Sequence, residues 1–381
     1  MTFEPSDRVA GVPPSGIRRF FEIAEEYDDI ISLGVGEPDF APPWAARDAA
    51  IASLERGQTS YTANRGMAEL RERIADDARR RYGLDYGPDE EVLVTSGASE
   101  AVDLAFRAFL NPGDSVAVAQ PCYISYVPGV QFTGADVIDV PTRAADEFKL
   151  TREVLEQSGA ADADVLVMCY PNNPTGATMT REELRPVAEF AREHDLLVFS
   201  DEIYSELSYE HDHASIATLP GMRERTVVFN GFSKAYAMTG LRLGYALAPP
   251  EAIEAMNRIH QYTMLSAPTT AQYAAVEALD SCGDEVREMR AQYDRRRQFV
   301  LSRFEEMGVD CFPAGGAFYA FPECPWDDSD AFAEALIEEE RVAVVPGNVF
   351  GAGGEGHLRV SYATSLGDLK EALARFESFI S

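Results

Sequence analysis

Seven short apolar runs, separated by helical patterns and small-residue turns, constrain this chain more than any other feature. They are Glu91–Thr95, Ser115–Ala119, Val137–Val140, Val165–Cys169, Leu196–Ser200, Val227–Asn230 and Gly244–Ala248. Each is too short for a stable helix, and most are continuously apolar rather than alternating, the pattern of strands covered on both faces. Strands that alternate with helices predict an α/β fold with a mostly parallel seven-stranded sheet between helices. The helix after Val165–Cys169 should open on Thr180, with Glu183 completing a capping box. Ligands of such sheets gather beyond the carboxyl ends of the strands, so the residues just past each run are where chemistry is to be sought.

At 381 residues the chain is longer than one growing core favours. A large domain over 46–285 is expected, with a smaller α+β domain built from both termini, 1–45 and 286–381. Ile17, Phe20, Phe21 and Ala24 recur at helical spacing near the N-terminus. A long helical stretch follows Pro268, with a break near Cys282-Gly283. Beyond it come strands at Ala317–Phe321, Val342–Val345 and Leu358–Tyr362 and helices at Ala331–Glu340 and Leu369–Ile380.

Past the Val227–Asn230 strand stands Lys234, one of only three lysines (Lys149, Lys234, Lys370) among 33 basic Lys and Arg residues. A chain that has shed nearly all its lysines keeps one beside a buried strand end, where burial favours the neutral, nucleophilic amine. Eight residues on, Arg242 lies between Gly240 and Gly244, where a guanidinium and close-approaching backbone suit a phosphate. Amine plus phosphate clamp point to pyridoxal phosphate. Ser96-Gly97-Ala98-Ser99, between a strand and a helix, offers free backbone N–H groups to an anion. Asn173, in Tyr170-Pro171-Asn172-Asn173-Pro174-Thr175-Gly176, also follows a strand, and is placed to hydrogen-bond a phenolic oxygen of the cofactor. Asp201, after another strand, would pair with a ring nitrogen, and Tyr204 would donate to the same phenolic oxygen.

The formal charge of −31, from 64 acidic against 33 basic residues, argues against nucleic acid or an anionic membrane as partner. Spread acidity with scarce lysine predicts a salt-adapted protein. The polar N-terminus has no signal-peptide character and no apolar run is long enough to span a bilayer, so a cytoplasmic location is expected. Five cysteines without a C-x-x-C pair read as reduced thiols, and His211-Asp212-His213, in an acidic loop-like stretch, is not taken as a metal site.

Taken together, Gly34-Val35-Gly36-Glu37-Pro38, Tyr61, Ser96–Ser99, Asn173–Gly176, Asp201-Glu202-Ile203-Tyr204, Ser233-Lys234, Gly240–Gly244 and Arg359 resemble, in order, the class I/II aminotransferases of pyridoxal-phosphate fold type I. Tyr293–Arg297 and Val342–Gly347 are similar to archaeal members related to aspartate and aromatic aminotransferases. The resemblance implies that Lys234 is the Schiff-base lysine and proton shuttle, Asp201 the partner of the pyridinium, and Asn173 and Tyr204 the ligands of the phenolic oxygen. It further implies that Tyr123 stacks on the ring, and that phosphate is held by the Ala98 and Ser99 N–H groups, Arg242 and Tyr61. Tyr61 would come from the neighbouring subunit of a homodimer. Arg359, with the Gly36 main chain and Asn173, would bind the substrate carboxylate. Gly231 stands where some relatives carry a serine, which leaves Ser233 as the nearby hydroxyl.

The expected reaction is ping-pong transamination between an L-amino acid and a 2-oxo acid such as 2-oxoglutarate, with a lyase of the same fold as first alternative and an amino-acid-sensing regulator as a remote one. For the substrate side chain, Ile17, Phe40 and Tyr126 point to a broad or aromatic range.

Overall fold

Uninterrupted β-branched and leucine-rich runs pair on both edges and bury both faces, which is how the sheet at the centre of this computed structural model is built. Residues 3–25, 27 and 29–381 are described, without the side chains of Phe21 and Glu25; the expected helical contribution of the Phe21 side chain lies outside the described residues. In chain order the strands are β1 (Ile31–Ser32), β2 (Val92–Thr95), β3 (Ser115–Gln120), β4 (Asp136–Pro141), β5 (Val165–Cys169), β6 (Leu197–Asp201), β7 (Thr226–Gly231), β8 (Gly244–Leu247), β9 (Tyr319–Ala320), β10 (Val342–Ala343), β11 (Val345–Pro346) and β12 (Leu358–Ser361). The central sheet has the order β2-β8-β7-β6-β5-β3-β4. Neighbours from β4 through β7 run parallel, whereas β8 is antiparallel to both β7 and β2. This is the α/β architecture of fold type I.

Successive residues of a strand face opposite sides, and the two cores divide accordingly. Leu166 and Met168 pack with Leu184, Val187 and Phe190 of the helix Arg181–Glu193. Val165 and Val167 face the other way, toward Leu104 and Phe106 of the helix Ala98–Phe109 and Ile253 of the helix Pro250–Thr263. The helix Arg181–Glu193 opens with the expected capping box: the Thr180 hydroxyl accepts from the Glu183 N–H, and the Glu183 carboxylate accepts from the Thr180 N–H at 2.8 Å.

The helices Thr269–Ser281 and Gly283–Met307 meet at Cys282, where the break was expected. Two strand expectations are corrected beyond it. Ala317–Phe321 shrinks to β9, because Ala317 adopts a left-handed φ of 55° and turns the chain before Tyr319. Val342–Val345 divides into β10, parallel to β1, and β11, antiparallel to β12. Segments from both ends of the sequence thus meet: β1 pairs with β10, and Gly16–Glu25 packs on Ser329–Glu340. All five cysteines are free, and no helix among the described residues is long and apolar enough to cross a membrane.

Candidate active site

Because β5, β6 and β7 are adjacent and parallel, their carboxyl ends share one edge of the sheet. Asp201 ends β6, Asn173 lies four residues past β5, and Lys234 three past β7. The reversed β8 begins at that edge, which brings Arg242 there as well, next to the start of the helix that follows β2. All the sequence candidates except Tyr61 and Phe40 line one cavity of about 570 Å³. Tyr61 projects from the surface and is 80% exposed.

Lys234 is enclosed. Its Nζ donates to the Gly36 carbonyl at 2.7 Å and sits 5.7 Å from the centre of the Phe318 ring. Burial, seconded by repulsion from Arg359, lowers the amine from its ordinary value of 10.5 to about 8. Asp201 is also buried, which pushes its carboxyl up; a 2.6 Å hydrogen bond from Tyr126 and a 3.1 Å bond from the Ile203 N–H act in the opposite sense, favouring the anion.

Arg359 is 4% exposed and has no carboxylate partner among the described residues, so it is not the surface ion pair that chance would suggest. It donates to Asn173 Oδ1 at 2.9 Å and to the Gly34 carbonyl at 2.6 Å, and its guanidinium lies 4.7 Å from the ring centres of both Tyr319 and Phe350. Its buried Nε has no partner. Accepting from Arg359 orients the Asn173 amide. The Tyr204 and Tyr319 hydroxyls are 2.9 Å apart.

At the opposite end, the helix Ala98–Phe109 begins after Gly97, whose φ is +86°. The N–H groups of Ala98 and Ser99 have no hydrogen-bond acceptor among the described residues. A Cβ at Gly97 would fall 2.6 Å from an Arg242 nitrogen, and one at Gly244 would fall 2.3 Å from the Ala98 nitrogen. Arg242 donates to the Thr239 carbonyl at 2.9 Å and pairs with no described carboxylate. An unneutralised guanidinium and free helix-terminal donors make an anion seat. Ser233 lines the cavity nearby, and half-buried Tyr123 meets Tyr126 edge-on at 5.6 Å.

Tyr126 does line the cavity, but it is 1% exposed and its hydroxyl donates to Asp201. Phe40 lies outside the lining and packs on Tyr293 at 5.2 Å, under Arg296, whereas Ile17 does reach the cavity. Tyr319 was missed. It packs against Gly36, where a Cβ would lie 2.3 Å from the Tyr319 hydroxyl. His213 bonds the buried Glu202 carboxylate at 2.8 Å, and His211 contacts Thr178 at 3.0 Å.

Residues 28–376 match the family described as aminotransferase class I and II. The chain belongs to that family. This aminotransferase is 49% identical over 382 residues to YugH of Bacillus subtilis (strain 168), a match covering 100% of this chain and 99% of that protein. It is 42% identical to an aspartate aminotransferase of Pyrococcus abyssi (strain GE5 / Orsay), with 98% of each covered. Among solved structures, the aromatic aminotransferase from Pyrococcus horikoshii OT3 superposes with a TM-score of 0.90 at 42% identity, covering 95% of this chain and 98% of that one. The similarity thus extends to relatives named for acidic and for aromatic substrates alike.

Proposed function

We propose that this aminotransferase binds pyridoxal 5′-phosphate through Lys234 and moves the amino group of an L-amino acid to a 2-oxo acid such as 2-oxoglutarate in a ping-pong cycle. The observation that carries the reading is the buried Lys234 amine, lowered to about 8, facing the same cavity as a buried aspartate and an unpaired arginine at either end. The donor set fits the cofactor. Arg242 and the Ala98 and Ser99 N–H groups suit the phosphate, with Ser233 beside them. Asp201, whose carboxylate accepts from Tyr126 and the Ile203 N–H, suits a protonated ring nitrogen, and Tyr123 offers a face for stacking. Asn173 and Tyr204 suit the phenolic oxygen.

When bound, the cofactor supplies a conjugated, electron-withdrawing ring that stabilises negative charge at the substrate Cα. The protein supplies the rest. Arg359, a buried guanidinium with no carboxylate partner among the described residues, would bind the α-carboxylate, with the Gly36 main chain alongside. The neutral Lys234 amine would hold the cofactor through its aldehyde carbon, with loss of water, and once displaced by the substrate amine would accept the proton from the substrate Cα.

The protein is further proposed to act as a cytoplasmic homodimer in which Tyr61 completes the phosphate site of the neighbouring subunit; its exposure and its absence from the cavity of its own chain support this. The division into 46–285 and 1–45 with 286–381 is proposed on the pairing of β1 with β10.

The decisive measurement is spectroscopic. Protein loaded with the cofactor should absorb in the visible, and borohydride reduction followed by proteolysis should label Lys234. Donor amino acids should then bleach the visible band without releasing ammonia. Labelling elsewhere, or ammonia in step with bleaching, would exclude the proposal, the latter in favour of a lyase.

A further inference from the structure

Under the anion seat lies a buried pair to which the reaction gives no role. His260, on the helix Pro250–Thr263, is 0% exposed, and its Nδ1 lies 2.6 Å from Glu100 Oε1. An ionised carboxylate only accepts, so the proton of this bond belongs to Nδ1. The other ring nitrogen, Nε2, is buried without a partner among the described residues. An apolar side chain of similar size would fill the place without that cost, so what distinguishes histidine here is its bond to Glu100.

Glu100 is the third residue of the helix Ala98–Phe109. Its second oxygen, Oε2, accepts from the Ser96 N–H, and its own N–H donates to the Gly97 carbonyl at 3.2 Å. The Thr95 hydroxyl donates to that same carbonyl at 2.9 Å, and the Gly97 N–H donates to the Thr95 carbonyl at 2.9 Å. The donors of this turn are thus occupied except at Ala98 and Ser99, the two that line the cavity. A carboxylate in the first turn of an anion-binding helix is a built-in rival for those donors, because the helix terminus attracts it as it attracts a phosphate. Here both its oxygens are committed elsewhere, one to His260 and one to Ser96.

We propose, on the function given above, on which this inference rests, that Glu100 and His260 are positioning residues for the cofactor phosphate. His260 holds the Glu100 carboxylate on the Ser96 N–H and off those of Ala98 and Ser99, which keeps the seat open. Both side chains are enclosed by their own chain, Glu100 with 12% exposure, so the pair does not depend on what a neighbouring subunit supplies.

The test compares pyridoxal 5′-phosphate with pyridoxal, which lacks the phosphate. Each is titrated into the full chain freed of cofactor and followed by the visible band. The ratio of the two dissociation constants reports on the seat, whereas a general loosening of the fold weakens both together. His260→Leu, which keeps the bulk and releases Glu100, should lower the preference for the phosphorylated form about tenfold. Glu100→Gln, which can still accept from Ser96 but carries no charge, should change it by less than about threefold. The double variant should return to within about threefold of Glu100→Gln, because the rival charge is gone. Inorganic phosphate, competing with pyridoxal 5′-phosphate, should follow the same order. Glu100→Asp, too short to reach both partners, should match His260→Leu and decides the matter if that variant does not fold. An unchanged preference in His260→Leu, or in Glu100→Asp where it stands in, overturns the inference, as does a double variant as weak as His260→Leu; the proposed transamination is untouched by either. A wild-type chain that gives no visible band with pyridoxal 5′-phosphate removes the function and this inference together.

Discussion

Lys149 and Lys234 are the same residue in opposite settings. Lys149 lies near the surface: partial burial draws its pKa down, but hydrogen bonds to Glu147 and to Glu183, the latter at 2.9 Å, outweigh that and raise it overall. Lys234 is inside, with a carbonyl for a partner and two arginines lining the same cavity, and its pKa falls to about 8. One amine is held as a cation by an acidic surface, and the other is prepared to lose its proton. What makes a lysine reactive here is burial, seconded by repulsion from Arg359, which together outweigh the pull of Glu37 and Asp201.

The largest test of that contrast is Lys234→Ala, which should lower kcat by about 10⁵-fold or more, while Lys149→Ala leaves it within about twofold, both measured by steady-state transamination. Next comes stability of the cofactor-free protein. A lysine whose pKa is lower folded than unfolded costs stability fully below about pH 8, and the cost fades as pH rises toward 10.5. Lys234→Met should therefore stabilise the cofactor-free protein by about 3 kcal/mol at pH 7 and by little above pH 10.5, in denaturant titrations at each pH. Tyr126→Phe sharpens the role of the buried carboxylate. Without its hydrogen bond Asp201 protonates more readily, so cofactor retention should weaken about tenfold, measured by dialysis against buffer. Smallest is Lys149→Met, expected to change stability by no more than about 1 kcal/mol, the worth of a part-exposed ion pair.

The central sheet was readable because each strand is a local signal: a short, continuous apolar run such as Val165–Cys169 has few other ways to bury itself. The peripheral strands were less so. A two-residue strand like β10 or β11 carries no periodicity, and the partner exchange at Val344 depends on where β1 and β12 lie. The site followed the same division. Lys234, Asn173 and Asp201 sit just past strands and could be found from position alone. Tyr126 and Tyr319 could not, because their partners Asp201 and Tyr204 are 75 and 115 residues away, and a tyrosine in an apolar run looks like core. Phe40 misled for the converse reason: its neighbour Asp39 is held by Arg296 through two bonds of 2.8 and 2.9 Å, which turns the ring toward Tyr293.

The backbone contacts among Gly97, Ala98 and Gly244 set which parts of the molecule are open to change. With no room for even a methyl group at either glycine, the anion seat has no side chain there to exchange, and altering it means moving a strand against a helix. Diversification of what the protein accepts is thereby channelled to the far wall, where Ile17 and Ile124 can be replaced without disturbing the sheet.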